Sequence, residues 1–296
     1  MRFQKILLLL SLILPLPWTY AAETANSESG LVISAGREGM GYWGIATRLQ
    51  AVALESSLPV DILESVGSTE NLERLADPES PVSLALTQGD ALRDYLDRYP
   101  GFRVDLEIFE SIGQECIFVV AHSNSGLNTV DDLRTSGTGH RLAIQDADSG
   151  SAVTFKVLSK LDPDLGNTEV VYMDTRKAMD NMGTDAPDAV DAVMLVHRPK
   201  VHSPELRRAL TNPENFQLVS FDDPNLSGKL PNGEAVYMPL DIPLIRSGWN
   251  TERSVSTLCM KGLLVGSRSK LSTTDKAKLV RIIETRWMRV YAEEIQ

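Results

Sequence analysis

The sequence predicts an α/β protein built from two doubly wound units that are joined by a pair of long strands. Strand and helix patterns alternate twice, over 31–95 and over 141–197. Two long apolar runs without helical period, 104–123 and 256–267, bracket the second unit. The chain has 296 residues, of which 43% are hydrophobic and 23% are charged, so it can form a substantial core. We expect two domains or one large one.

The first unit is predicted to be a parallel sheet with helices on its faces. Its predicted strands are 31–36, 60–65 and 81–87, and its predicted helices are 42–56, 68–76 and 91–95. Each strand is followed by a helical pattern, which is the order that a doubly wound sheet requires.

The second unit repeats this order after a short helix at 129–134. Its predicted strands are 141–146, 169–174 and 189–197, and its predicted helices are 151–161 and 176–182. We expect the following stretch to be rich in loops, with five prolines as turn residues: Pro213, Pro224, Pro231, Pro239 and Pro243. An amphipathic helix at 273–294 ends the chain.

The two long runs are interpreted as paired hinge strands, by which the chain enters the second lobe and returns. The predicted boundaries are 22–117 plus 258–296 for lobe 1 and 118–257 for lobe 2.

The first 21 residues have the pattern of a secretory signal peptide. Arg2 and Lys5 precede an apolar run at 6–18, which two prolines interrupt, and small residues follow, with cleavage predicted after Ala21. Because a membrane-spanning helix needs about 20 apolar residues, a retained anchor is the less favoured alternative.

Cys116 and Cys259 are the only two cysteines of the chain. In an oxidising compartment an even number of cysteines favours a disulfide, and each lies in an apolar, strand-like run. Two separately buried thiols are the alternative.

Composition and motifs argue against two broad classes of function. The formal charge is −11, from 29 basic and 40 acidic residues, and no basic run could follow a phosphate backbone, so we expect no nucleic-acid partner. The sequence has no Walker A, G-x-S-x-G, H-E-x-x-H or C-x-x-C motif, and its four histidines lack metal-site spacing. We therefore predict no catalytic residue and no metal.

A glycine-rich turn at 35–43 is the first candidate ligand loop. Gly36, Gly39 and Gly41 follow G-x-x-G-x-G, which is not the dinucleotide fingerprint. The turn would let a ligand approach the backbone next to a helix N-terminus, which favours an anion, and Tyr42 would add a hydroxyl. A tight turn with Tyr42 in the core is the alternative.

Two more loops of the first unit carry polar groups. Ser68 and Thr69 follow the second strand, while Gln88 and Asp90 follow the third. Helix capping alone would explain Ser68 or Thr69. Since ligands of open α/β sheets bind outside the carboxyl ends of the strands, we expect these loops to converge.

The second unit offers a comparable loop at 145–155. Ser149, Gly150, Ser151 and Thr154 lie at the start of a helix, where they could cradle an anion or simply cap the helix. Anion loops in both units suit a cleft that closes about a hinge.

Arg198 and Trp249 are further candidates for this cleft. Arg198 would serve as a carboxylate fork and Trp249 as an apolar wall, although either residue would also suit the surface or the core.

Taken in order, these motifs resemble the TAXI family of substrate-binding proteins from tripartite ATP-independent periplasmic (TRAP) transporters. The matching residues are Gly36, Gly39, Gly41 and Tyr42; Gly67, Ser68 and Asn71; Gln88 and Asp90; Ser149, Gly150, Ser151 and Thr154; Asp191 and Ala192; and Ile242 and Pro243. Their order and spacing cover nearly all of the predicted mature chain.

The resemblance implies a periplasmic-binding-protein-like fold and a receptor without enzymatic activity or cofactor. It implies that the receptor captures a small carboxylate, such as glutamate or another dicarboxylate, and delivers it to a TRAP membrane permease. The implied ligand contacts are Gly41, Tyr42, Ser68, Asn71, Gln88, Ser149, Gly150 and Ser151. A periplasmic sensor that signals to a membrane receptor or kinase is the alternative, and an enzyme of another type on the same fold is a weaker one.

The chain departs from the family at Arg37, Glu38 and Trp43. We hypothesise that Arg37 neutralises a second carboxylate of the ligand or that Glu38 receives an amine.

Overall fold

A computed structural model describes residues 30–134, 139–199, 203–230, 233–244 and 253–291. The predicted signal peptide, Pro231 and Trp249 lie outside these residues. Within them no helix is both long and apolar enough to cross a bilayer.

Strands and helices alternate along the described chain. The strands are β1 (Leu31–Ser34), β2 (Val60–Leu63), β3 (Leu84–Gln88), β4 (Leu106–His122), β5 (Arg141–Ile144), β6 (Glu169–Tyr172), β7 (Ala192–His197), β8 (Phe216–Val219), β9 (Tyr237–Leu244) and β10 (Arg253–Ser267). The helices are α1 (Gly41–Leu54), α2 (Ser68–Ala76), α3 (Gly89–Arg98), α4 (Val130–Arg134), α5 (Gly150–Leu161), α6 (Thr175–Asn181), α7 (Pro204–Thr211) and α8 (Thr273–Tyr291).

One mixed sheet contains two similar parallel units. Its strand order is β2-β1-β3-β10-β4-β7-β5-β6, with β8 added beside β4 and β9 beside β10. β1 pairs in parallel with β2 and β3, and β5 pairs in parallel with β6 and β7. Each unit therefore has its first strand in the middle, and we call β1–β3 with their helices the first half and β5–β7 with theirs the second half.

The long strands β4 and β10 run antiparallel between the halves. The segment 106–114 of β4 pairs with β10, and the segment 116–121 pairs with β7 of the second half. β10 pairs with β3 of the first half over 262–266 and with β9 over 253–260. β10 thus borders the first half and β4 borders the second, so the pair of strands connects the two halves.

A disulfide joins the two long strands near the point where they change partners. The sulfur atoms of Cys116 and Cys259 are 2.01 Å apart, and both residues are fully buried. The structure therefore contains the bridge that the sequence favours, and not two separate thiols.

Apolar spacing explains which helix faces are buried. Ile45, Leu49 and Val52 lie at helical intervals in α1 and pack with Leu279 and Ile282 of α8. A second cluster fills the end of the sheet around the disulfide, and a third extends continuously from α3 to α5. The two halves therefore share a core on the side of these two helices.

The expectation of a loop-rich stretch after 197 was wrong in part. α7, β8 and β9 lie there, and Pro239 and Pro243 are strand residues opposite Leu258 and Ser254 of β10. Proline has no backbone N–H, so it is tolerated in a strand where that N–H would not be needed for pairing. β9 is such a strand, because among the described strands it pairs with β10 alone.

Candidate functional site

The polar loops at the carboxyl ends of the parallel strands meet beside β4. The first half contributes Tyr42 from α1, Ser68 from α2 and Gln88 from β3, and the second half contributes Gly150 from α5 and Arg198 after β7. This convergence follows from the shared strand order, because both units direct the carboxyl ends of their strands to the same region.

Tyr42 lies at the start of α1 and reaches the long strand. Its hydroxyl donates to Glu115 Oε2 at 2.9 Å, and the Ser68 hydroxyl lies next to it. Burial and the adjacent Glu115 charge raise the pKa of Tyr42 well above its usual value, so the phenol stays protonated as a donor. Gly262 of β10 packs closely against Ile112 next to this site. A Cβ at position 262 would lie only 2.8 Å from a side-chain carbon of Ile112, so a larger residue would not fit without a shift.

Glu115 is the residue of this site that the sequence analysis missed. Burial raises the pKa of its carboxyl group to about 7, although the Tyr42 hydroxyl, the Arg198 charge and the nearby Gln88 amide each lower it. The one sequence signal is an acid directly before the apolar run that begins at Cys116.

Two buried side-chain atoms lack a hydrogen-bond partner within the described chain, and both belong to this site. They are Oε1 of Gln88 and Nη2 of Arg198. Gln88 is 4% exposed, and its backbone N–H donates to Ser68 Oγ at 3.0 Å. Because buried polar groups are normally paired, these two unpartnered atoms indicate a candidate binding position for another molecule.

The halves come into close contact at the N-terminus of α5. A Cβ at Gly150 would lie 2.8 Å from Gln88 Oε1, so only a glycine fits without displacing that side chain. α5 therefore presents its first turn directly to the end of β3.

Asp90 forms a second, fully buried link between the halves. Its carboxylate accepts hydrogen bonds from Thr154 Oγ1 at 2.6 Å and from the Tyr237 hydroxyl at 2.9 Å. Burial raises the pKa of Asp90 despite these donors. One turn further along α3, Asp94 forms an ion pair with Lys160 of α5. Tyr237 lies in the stretch that the sequence analysis expected to be rich in loops.

Several predicted ligand residues have other roles in the structure. Asn71 is fully buried; its Oδ1 accepts from Ser34 Oγ at 2.6 Å and its Nδ2 donates to the Leu86 carbonyl at 2.7 Å, so it holds β1 and β3 together. Ser149 caps α5 by accepting the Ala152 N–H at 3.2 Å.

The remaining loop candidates lie at the edge of the site. Ser151 Oγ accepts the Val196 N–H at 3.0 Å and thereby ties α5 to β7. Gly41 is exposed, with open space where a side chain would project. Glu38 is exposed in the same loop.

Arg37 is about half exposed and faces Asp146 of the other half, with 3.8 Å between its guanidinium nitrogen and the carboxylate. Arg37 therefore links the two halves through an ion pair with Asp146.

Two cavities elsewhere lack the features of this site. One of about 210 Å³ lies between α3 and α5 beside Arg93 and Lys160, and one of about 220 Å³ lies beside His122 and Arg208. Neither has an unpartnered buried polar atom in its lining. The junction at Glu115 is therefore the candidate site.

No protein-family model matches the sequence, and no curated protein matches it. Among solved structures, XAC2383 from Xanthomonas citri bound to ATP is similar at 11% identity and a TM-score of 0.52, over 89% of this chain and 88% of that one. CAE31940 from Bordetella bronchiseptica RB50 is similar at 12% identity and a TM-score of 0.50, over 88% and 72%. The GluR0 ligand-binding core from Nostoc punctiforme in complex with L-glutamate is 10% identical, with a TM-score of 0.45 over 88% and 97%.

At these identities the likeness concerns the fold. The chain has a mixed α/β fold with a parallel unit at each end of the sheet and two long strands between them, and XAC2383 has a similar fold.

Proposed function

We propose that this chain is an extracytoplasmic receptor that closes its cleft on a small carboxylate. The observation that carries the proposal is the unpartnered Nη2 of Arg198, which the second half presents at the junction with the first. A guanidinium group binds a carboxylate through paired N–H donors, and the first turn of α5 adds backbone N–H groups.

Capture would proceed by rotation of one half toward the other about β4 and β10. Ligand held by Tyr42 and Ser68 on the first half would meet Arg198 as the cleft closes. The hydrogen bond from Thr154 to Asp90 joins the halves, so it would form only in the closed state.

We further propose that the receptor delivers its ligand to a TRAP-type permease, as the resemblance to TAXI proteins implies. The disulfide and the signal-peptide pattern support an extracytoplasmic, periplasmic location. The lobe boundaries 22–117 plus 258–296 and 118–257 are part of this proposal, and the Cys116–Cys259 bridge lies within two residues of each junction. No catalysis is proposed.

A thermal-shift screen of the exported chain, stripped of bound ligand by unfolding, tests the proposal. The panel contains amino acids, dicarboxylates, keto acids and short acyl acids. A ligand at 100 times its dissociation constant stabilises by about 2.7 kcal/mol, which raises Tm by roughly 5–10 °C. Arg198→Met should abolish the shift.

Arg208→Met is the matched control, because Arg208 pairs with Asp180 outside the site. It should keep the shift. A folded chain that responds to no member of the panel would contradict the proposed function.

A further inference from the structure

Glu115 lies where the two halves of the candidate site meet. It precedes Cys116 on β4, and successive side chains of a strand point to opposite faces. The Cys116 side chain lies in the apolar cluster around the disulfide, so the carboxylate of Glu115 points to the opposite face, where Tyr42 donates to it.

The surroundings of Glu115 are short of positive charge. The charge of Arg198 lowers the pKa of Glu115, while the negative charge of Asp90 raises it. Arg37 pairs with Asp146. The pKa of about 7 at Glu115 is consistent with a carboxylate that lacks a full counter-charge.

The two unpartnered atoms add one hydrogen-bond acceptor and one hydrogen-bond donor to the site. Gln88 Oε1 is an acceptor without a donor, and Arg198 Nη2 is a donor without an acceptor. With the carboxylate of Glu115 added, the site offers two acceptors and one cationic donor. These are the complements of a ligand that carries both a protonated nitrogen and a carboxylate.

We propose that Glu115 determines the specificity of this site, by receiving with Gln88 Oε1 a protonated nitrogen of a ligand whose carboxylate is held by Arg198. The inference rests on the proposed function and narrows its ligand class to amino-bearing carboxylates. A dicarboxylate without an amino group would bring a second negative charge against Glu115 with no protonated nitrogen to offset it, and is therefore rejected.

Titration calorimetry with acids that share a skeleton tests this role. The exported, ligand-stripped chain is titrated with L-alanine, L-lactate and pyruvate; with L-aspartate, L-malate and succinate; and with L-glutamate and 2-oxoglutarate. At least one amino acid should bind tenfold or more tightly than its partners without the amino group. Glu115→Gln should reduce that ratio at least tenfold, whereas Glu115→Asp should keep the preference at lower affinity.

Glu110→Gln is the matched control on the same strand, since the Glu110 carboxylate accepts only a local bond from the Ser111 N–H at 2.8 Å. It should leave the ratio unchanged. Equal or tighter binding of the acids without the amino group would overturn the role of Glu115, as would a ratio that survives Glu115→Gln. If Glu115→Gln does not fold, the affinity ratio of the wild type and that of Glu115→Asp test the role of Glu115.

The outcomes separate this inference from the proposed function. If keto acids or dicarboxylates bind and no amino acid does, the proposed receptor function is supported and the role of Glu115 is wrong. If no acid binds to the folded chain, both are wrong.

Discussion

At Glu115 a carboxylate is held among groups that only partly compensate for its removal from water. Tyr42 donates one hydrogen bond at 2.9 Å, and Arg198 contributes charge from the other half of the molecule. A buried acid that keeps a raised pKa costs folding stability whenever it is ionised. Such groups persist in proteins mainly where function requires them.

The pH dependence of stability tests the environment of Glu115. Its folded-state pKa is raised from 4.5 to about 7, so this residue favours the folded state fully below pH 4.5, and that contribution is lost as the pH rises through 7. Glu115→Gln, which cannot ionise, should therefore raise Tm by roughly 2 °C or more at pH 8. The difference should shrink to nothing near pH 4.5.

Thermal unfolding of both proteins from pH 4.5 to 8 measures this effect. Glu110→Gln should show no such trend. A Glu115→Gln variant that is less stable than the wild type at pH 8 would mean that the ionised carboxylate is well compensated, and would contradict the charge balance described above.

Individual residues show how much of the site could be predicted from the sequence. Tyr42, Ser68 and Gln88 follow parallel strands, where topology alone brings polar side chains together. Glu115 lies inside a long strand, and the sequence pattern does not reveal which face of that strand borders the cleft. Asn71 could not be distinguished from a ligand contact, because a polar residue in the first turn of a helix can face either the cleft or the strands.

Among the elements, α5 decides how closely the halves approach. Its first residue, Gly150, leaves just enough space for the buried Gln88 side chain. Gly150→Ala should displace that side chain in the closed state and reduce affinity for the best ligand of the panel by roughly tenfold, equivalent to about 1.4 kcal/mol.

The control for this variant is Gly44→Ala at the fourth residue of α1. A Cβ there would make an ordinary contact with Arg48 at 3.5 Å, so the change should stabilise the helix by up to about 1 kcal/mol and leave affinity unchanged. Calorimetry and thermal unfolding of both variants measure the two effects. Unchanged affinity in Gly150→Ala would show that the halves do not close at this point.

The disulfide constrains the two long strands. It links residues 143 positions apart, so in the chain-entropy model its loss costs roughly 4–5 kcal/mol. The Cys116→Ala, Cys259→Ala double variant should accordingly unfold about 10 °C or more below the wild type. Mass spectrometry after treatment with an alkylating agent checks that the bridge exists, and labelling of the wild type without reductant would contradict it. An unchanged Tm in the double variant would contradict its contribution to stability.

Element prediction from sequence succeeded where periodicity was regular and failed where proline was the main signal. The alternating runs from 31 to 197 predict β1–β3 and β5–β7 to within a few residues, because β-branched strands and helical spacing are local properties. β9 was missed, since Pro239 and Pro243 suggest turns unless the strand is known to pair on one side only. That information depends on tertiary structure.

Over the whole molecule, one sheet contains two similar parallel units with two long strands between them, and the polar loops of both units meet beside β4. The buried links from Asp90 to Thr154 and Tyr237 and the Gly150–Gln88 contact lie along the same side as the apolar cluster between α3 and α5. Under the proposed function this arrangement is the closed form, and among the described residues the unpartnered buried side-chain atoms belong to Gln88 and Arg198 at the junction.

A crystal structure of residues 22–296 with the tightest-binding acid from the panel would test this arrangement most directly. We expect one ligand molecule at the junction, with its carboxylate on Arg198, its amino group between Glu115 and Gln88 Oε1, and Tyr42 within contact distance. A ligand found instead in the cavity beside Arg93 and Lys160, or held by one half alone, would contradict capture by closure of the two halves.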